Sequence, residues 1–156
     1  MNSAQIRNVL YEALGSSTMY ETNMYACDQL NYIESNQFAV VVNSDDSKHE
    51  GMHWLAIYKD RNSSVEFFDS FSLPLEFYSP SIRSFLNDFG TYATCNKRQI
   101  QSNFSVTCGH FCLYYLLNRC RGQSMESILS EFSLTNLTAN DVKVKQFVET
   151  NFHCDS

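Results

Sequence analysis

The stretch QIQSNFSVTCGHFCLYYLLNRC, residues 99 to 120, changes character at Cys108-Gly109: polar before the pair, almost continuously apolar after it. From Cys108 to about Arg119 the apolar positions cover nearly every face of a helix, which predicts a helix buried on all sides. A cysteine in the first turn of such a helix lies at the positive end of the macrodipole, beside free N–H groups, and both favour thiolate over thiol. A cysteine serving only as a small hydrophobe can sit anywhere along an apolar run, and Cys112 and Cys120 read as that. Gly109 leaves the backbone uncluttered, so that N–H groups there can approach a substrate carbonyl. Taken alone, a cysteine at a helix start is more often structural than reactive, so the rest of the chain has to supply its partners.

The partners come from an expected hairpin, MHWLAIYK (52 to 59) and SVEFFDSF (64 to 71), joined by DRNS. With the turn centred on Arg61, Ile57 opposes Val65, Leu55 opposes Phe67 and His53 opposes Asp69, all on one face. A carboxylate beside an imidazole holds its tautomer and stabilises the imidazolium, the orienting role in a catalytic triad. The plainer reading is that His53 ends a strand and Asp69 begins a turn. His49 and His153 fall in polar surroundings, and His110, two residues from Cys108, points away from that cysteine's face. Gln101, in the loop before the helix, is a candidate donor to an oxyanion. A zinc site using Cys108 and Cys112 lacks a second ligand pair.

Further out, AQIRNVLYEAL after Ser3 carries Ile6, Val9, Leu10 and Leu14 at helical spacing, with Gly15 as a stop. Residues 16 to 36 read as loop with a short helix, and QFAVVVNS (37 to 44) as a buried strand. Helices are expected around SPSIRSFLNDFG, in SMESILSEF with Ser124 as N-cap, and in ANDVKVKQFVETNF. The expected fold class is α+β: a small, mostly antiparallel sheet with the buried Cys108 helix at its centre and other helices packed around it.

The chain has 156 residues, 44% of them hydrophobic and 14% aromatic, which suits one folded domain spanning 1–156 with a substantial core. A formal net charge of -6 disfavours a general nucleic-acid surface. The N-terminus lacks a secretory pattern and no apolar run has the length of a membrane span, so a reducing, intracellular setting is expected. In that setting the six cysteines are expected to stay reduced instead of forming a disulfide framework.

Taken in order, His53-Trp54, Asp69, Gln101 and Cys108-Gly109 resemble the adenovirus protease (adenain) and the wider group of cysteine proteases that includes the SUMO-specific proteases. EGMHWLAIYKDRNSSVEFFDSFS is similar to that group's His-to-acid block, QSNFSVTCGHFC to its Gln-to-Cys block, and FAVVVN to the strand ahead of the histidine. The resemblance implies His53 as general base, Asp69 as its orienter, Cys108 as nucleophile, Gln101 as oxyanion donor, and Trp54 packed beside the site. It implies cleavage after glycine in viral precursor proteins, hence protein substrates, a monomer, and a host nucleus, cytoplasm or virion as the setting. Adenoviral enzymes carry Glu where this chain has Asp69, while the SUMO-protease branch commonly has Asp. The chain is also shorter between Asp69 and Gln101, as suits a compact relative from an adenovirus-like virus or a Polinton/Maverick element. Adenain is stimulated by DNA and by a peptide disulfide-linked to a cysteine upstream of the Gln. Cys95 lies upstream of Gln101 but nearer to it, and no cofactor is expected for the chemistry itself. Two alternatives stay open: an isopeptidase acting on ubiquitin or ubiquitin-like conjugates, and an inactive binding module of the same fold.

Overall fold

The hairpin forms, and a five-stranded sheet is built on it. The computed structural model describes residues 1–15, 19–49, 53–90 and 92–154. Its strands are β1 (Glu21–Ala26), β2 (Phe38–Asn43), β3 (Trp54–Lys59), β4 (Glu66–Phe68) and β5 (Thr94–Cys95), adjacent in that order. The β2/β3 and β3/β4 pairings at the centre are antiparallel, as expected, whereas β1/β2 and β4/β5 at the two edges are parallel. Met52, the expected first residue of the third strand, lies outside the described residues.

The hairpin is centred on Asn62, one residue later than the expected Arg61: Ile57 pairs with Phe67, not Val65, and Ala56 with Phe68. Moving the centre by a whole residue shifts each pairing by two positions, which preserves which residues share a face. His53 and Asp69 therefore stay on one side of the sheet, offset diagonally instead of directly opposed.

Alternation divides the core into two layers. Ala39, Val41, Trp54, Ala56, Tyr58 and Phe68 face one way, onto α1 (Ser3–Leu14), α3 (Cys108–Cys120) and α5 (Leu137–Asn151). Phe38, Val40, Val42, Leu55, Ile57 and Phe67 face the other way, towards Ile82 and Leu86 of α2 (Pro80–Asn87). With both faces covered, β2 is buried along its whole length, which is why its sequence FAVVVN shows no polar alternation.

Helix ends follow their local chemistry. Asn2 caps α1 through a reciprocal pair with Gln5, Ser124 caps the short α4 (Met125–Ser130), and Asn136 caps α5. Ile6, Val9, Leu10 and Leu14 are the buried face of α1, as their spacing predicts. Residues 21–26 form a strand where a loop was expected. ETNMYA has no clean alternation, and its backbone is held by a parallel partner distant in sequence. Cys27, Cys95, Cys108, Cys112 and Cys120 are free thiols, and among the described residues no helix is long and apolar enough to cross a membrane.

The central helix is α3, with every residue from Cys108 to Leu117 buried. Its far end is locked electrostatically. Arg119 grips Glu66 of β4 through Nε (2.9 Å) and Nη2 (2.6 Å), and the Tyr115 hydroxyl donates to the same carboxylate. The guanidinium also lies 4.3 Å from the Tyr58 ring centre, while Tyr115 stacks on Phe68 at 4.4 Å. A buried ion pair is costly to break because the remaining charge stays desolvated. Glu66→Ala is therefore expected to lower the unfolding free energy by about 3–5 kcal/mol, read as a lower urea midpoint at unchanged slope; a loss under ~1 kcal/mol would mean that this pair does not anchor α3.

Candidate active site

Cys108 is the first residue of α3, and Thr107 precedes it as N-cap. The loop leading to it is tied down from α5. Asp141 Oδ1 accepts from the Ser102 N–H (3.3 Å), the Ser105 hydroxyl (3.1 Å) and the Thr107 hydroxyl (3.0 Å). The start of the helix is thus set by a buried carboxylate in a later element.

His53 sits immediately before β3, its carbonyl accepting from the Ser44 N–H. Its Nε2–H donates to Asp69 Oδ1 at 2.7 Å. The imidazole also lies near enough to the Cys108 thiol for each to shift the pKa of the other. Asp69 immediately follows β4 and is 1% exposed. Its carboxylate further accepts from the backbone N–H of Phe71 (2.9 Å) and Leu73 (3.0 Å) and from the Tyr78 hydroxyl (2.5 Å). Asn96 clamps its backbone from both sides, accepting from the Asp69 N–H at 2.9 Å and donating to its carbonyl at 2.6 Å.

These contacts decide the charges. Burial opposes the Asp69 carboxylate, but the His53 and Tyr78 hydrogen bonds outweigh it and hold its pKa below the ordinary value. Burial likewise opposes the imidazolium, yet the bonds to Asp69 and Cys108 push His53 up to about 9. For Cys108, burial is overcome by the His53 bond and charge and by N–H groups of Trp54 and Gly109 aimed at the sulfur, so its pKa is lowered. All three shifts run in the direction of a thiolate–imidazolium pair backed by a carboxylate. Cys112 is the reverse case: fully buried, its thiol is pushed well above the ordinary range.

Trp54 and Gly109 pack against each other. A side-chain carbon on Gly109 would lie 3.2 Å from Trp54 Cδ1 and 3.3 Å from Ile6 Cδ1. The glycine thus admits the indole and Ile6. The Trp54 indole N–H donates to the Met1 carbonyl at 3.2 Å.

Gln101 lies in the approach loop but is fully buried and turned inward. Its Nε2 donates to the Ser105 carbonyl (3.0 Å) and hydroxyl (2.9 Å), and its Oε1 accepts from Ser70 at 2.6 Å. The structure therefore brings His53, Asp69 and Cys108 together, sets Trp54 and Gly109 beside them, and holds the Gln101 amide on Ser105. His110 is outside this group, with its Nδ1 buried and unpartnered and burial pushing its pKa down to about 4. Among the described residues, no three His, Cys, Asp or Glu side chains cluster as a metal site.

The sequence reading missed Tyr78, Asn96, Ser105 and Asp141. Each is an ordinary polar residue, and only contacts across the chain reveal its role. Asp69 itself carried a local signal, because an aspartate can accept from the N–H two residues on, as it does from Phe71.

The fold is shared with a protease. It is similar to the crystal structure of the ASFV pS273R protease, with a TM-score of 0.52 and 16% sequence identity over 92% of this chain and 66% of that one. This chain thus spans just under two thirds of that protein's length, and a likeness at this identity concerns the fold alone. No protein-family model matches the sequence, and no curated protein matches it significantly.

A thiolate at Cys108 has a direct chemical signature. At pH 7 iodoacetamide is expected to modify Cys108 at least about tenfold faster than Cys95 or Cys120, whose thiols burial shifts the other way. His53→Ala is expected to erase that difference; equal rates at the three cysteines of the unaltered protein would show that Cys108 is not activated.

Proposed function

We propose that the chain is a cysteine endopeptidase that cleaves after glycine in viral or virus-like precursor proteins during particle maturation. The observation that carries this reading is the His53–Asp69 hydrogen bond with the Cys108 thiol beside the imidazole, where the pKa shifts run towards thiolate and imidazolium. The fold shared with a protease supports it, as does the order His53-Trp54, Asp69, Gln101, Cys108-Gly109. The preference for glycine and the precursor substrates rest on that resemblance.

In the proposed cycle the Cys108 thiolate attacks the scissile carbonyl carbon, and the electron pair of the C=O bond moves to oxygen. The His53 imidazolium then gives its proton to the leaving amine as the C–N bond breaks, which leaves a thioester on Cys108. Neutral His53 next takes a proton from water, the resulting hydroxide attacks the thioester, and the acid product departs as thiolate and imidazolium reform. Nucleophile, acid and base are all side chains, so water is the sole co-reactant. Gln101 is assigned as oxyanion donor, a role in which its amide exchanges Ser105 for the substrate oxygen. Burial, then the charge of Glu76, raise the Cys95 thiol pKa, which weighs against a disulfide-linked activating peptide there.

The test uses glycine-containing peptides taken from candidate precursor proteins. Cys108→Ala is expected to abolish cleavage while circular dichroism stays unchanged, and full activity in that variant would sink the assignment. Asp69→Asn is expected to cost less than loss of Cys108 or His53, since orientation is only partly lost. The pH profile carries a sign. As pH rises through about 9, His53 loses the proton that the leaving amine needs, so kcat/KM is expected to fall there. In Asp69→Asn, with the counter-charge gone, that fall should move to lower pH. Cleavage of ubiquitin-like conjugates with no turnover of the peptides would redirect the reading to an isopeptidase.

A further inference from the structure

We infer that the apolar cleft beside His53 holds the side chain of the first residue after the scissile bond, and that this side chain is large and apolar. This rests on the protease reading above and names a part of the substrate that the reading leaves open. The cleft encloses about 410 Å³ and is lined by His53, Phe71, Leu73, Phe77 and Tyr78, together with Asp45 and two serines.

Its position identifies which half of a substrate would enter it. In the proposed cycle His53 protonates the leaving amine, so that nitrogen comes within hydrogen-bond reach of the imidazole. The residue bearing the amine begins there, and its side chain projects into the space that His53 itself borders. Neither Cys108, Gly109, Gln101 nor Trp54 lines this cleft. Trp54 borders a different cavity of about 550 Å³, with Met1 and Asn43, which His53 does not line. The acyl half of a substrate, held at Cys108, is thus next to Trp54, and the leaving half is next to Phe71, Leu73 and Phe77.

The lining is mostly apolar, and Leu73 and Phe77 within it are exposed and held in place. Phe77 is 71% exposed and Leu73 37% exposed, so both keep apolar surface in water that a bound side chain would cover. They are not mobile tips. The Leu73 N–H donates to Asp69, and the Phe77 N–H to the Pro74 carbonyl. Ser72, between Asp69 and Leu73, adopts a left-handed backbone at φ 53°, held by its N–H on the Asp69 carbonyl and its hydroxyl on the Asn96 carbonyl. A non-glycine residue in that region is strained, and here the strained turn presents Leu73 to the cleft. The Phe71 ring lies 5.0 Å from the His53 ring and forms the inner wall. Asp45 in the lining sets the charge preference, since an acidic side chain would meet mostly apolar surface and a like charge.

Peptides with one common acyl half, ending in glycine, and Leu, Ser or Glu as the next residue test this directly. For the unaltered protein, kcat/KM for Leu over Glu is expected to be at least about tenfold. In Phe77→Ser and Leu73→Ser the ratio is expected to fall towards one, while preference among acyl halves varied before the glycine stays as it was. A ratio near one in the unaltered protein, or an undiminished ratio in both variants, overturns the inference. A second readout uses the acyl-enzyme formed from a glycyl-coumarin amide, which has no residue after the scissile bond. Added leucinamide is expected to intercept that intermediate several-fold better than serinamide, and equal capture overturns the inference. Failure to release coumarin at all counts against the protease reading and takes the inference with it; release without a side-chain preference removes the cleft's role alone.

Discussion

The Asp69 carboxylate is the interaction on which the site depends. It is buried at the end of β4, where an unpaired charge would be costly, and it is satisfied by one imidazole, one phenol and two backbone N–H groups. Those four donors come from the start of β3 and from the segment after β4. Holding them to one point therefore fixes the direction of His53, the turn through Ser72 and the approach to α2 together. Aspartate suits this place because its short side chain reaches the N–H groups two and four residues on.

The central helix completes the arrangement from the other side of the sheet. One end is pinned by Glu66 and Arg119, and the other carries the Cys108 thiol, whose pKa His53 and the backbone of Trp54 and Gly109 lower. Between these ends, Tyr115 on Phe68 and the unbroken burial from Cys108 to Leu117 leave the helix no freedom to slide. The position of Cys108 relative to His53 is thus set by packing along the helix. Gly109 belongs to the same fit, since Trp54 and Ile6 occupy the space a side chain would need.

Much of this was legible in residue order. A polar-to-apolar switch at Cys108 located the helix start, and strand parity put His53 with Asp69 even though the turn centre was off by one residue, because that error preserves parity. Helical spacing identified the inner face of α1, and a cap residue identified α4. What escaped depends on partners far away. β1 exists through parallel pairing with β2, and Asn96 and Asp141 act on residues 27 and 34–39 positions away. The inward turn of Gln101 follows from Ser70 and Ser105, two serines that no pattern singles out.

The site is also divided along the chain in a way that bears on how the protein reaches its native state. His53 and Asp69 lie on one hairpin, a local unit whose ends meet early in a folding reaction. Cys108 arrives only when α3 docks, and α3 docks against a sheet whose two edges require long-range parallel pairing. A chain in which only the hairpin has formed would hold the imidazole and the carboxylate together without the Cys108 thiol beside them. The meeting of these three side chains therefore needs contacts that span the chain, from the hairpin to the packing of α3 on the sheet.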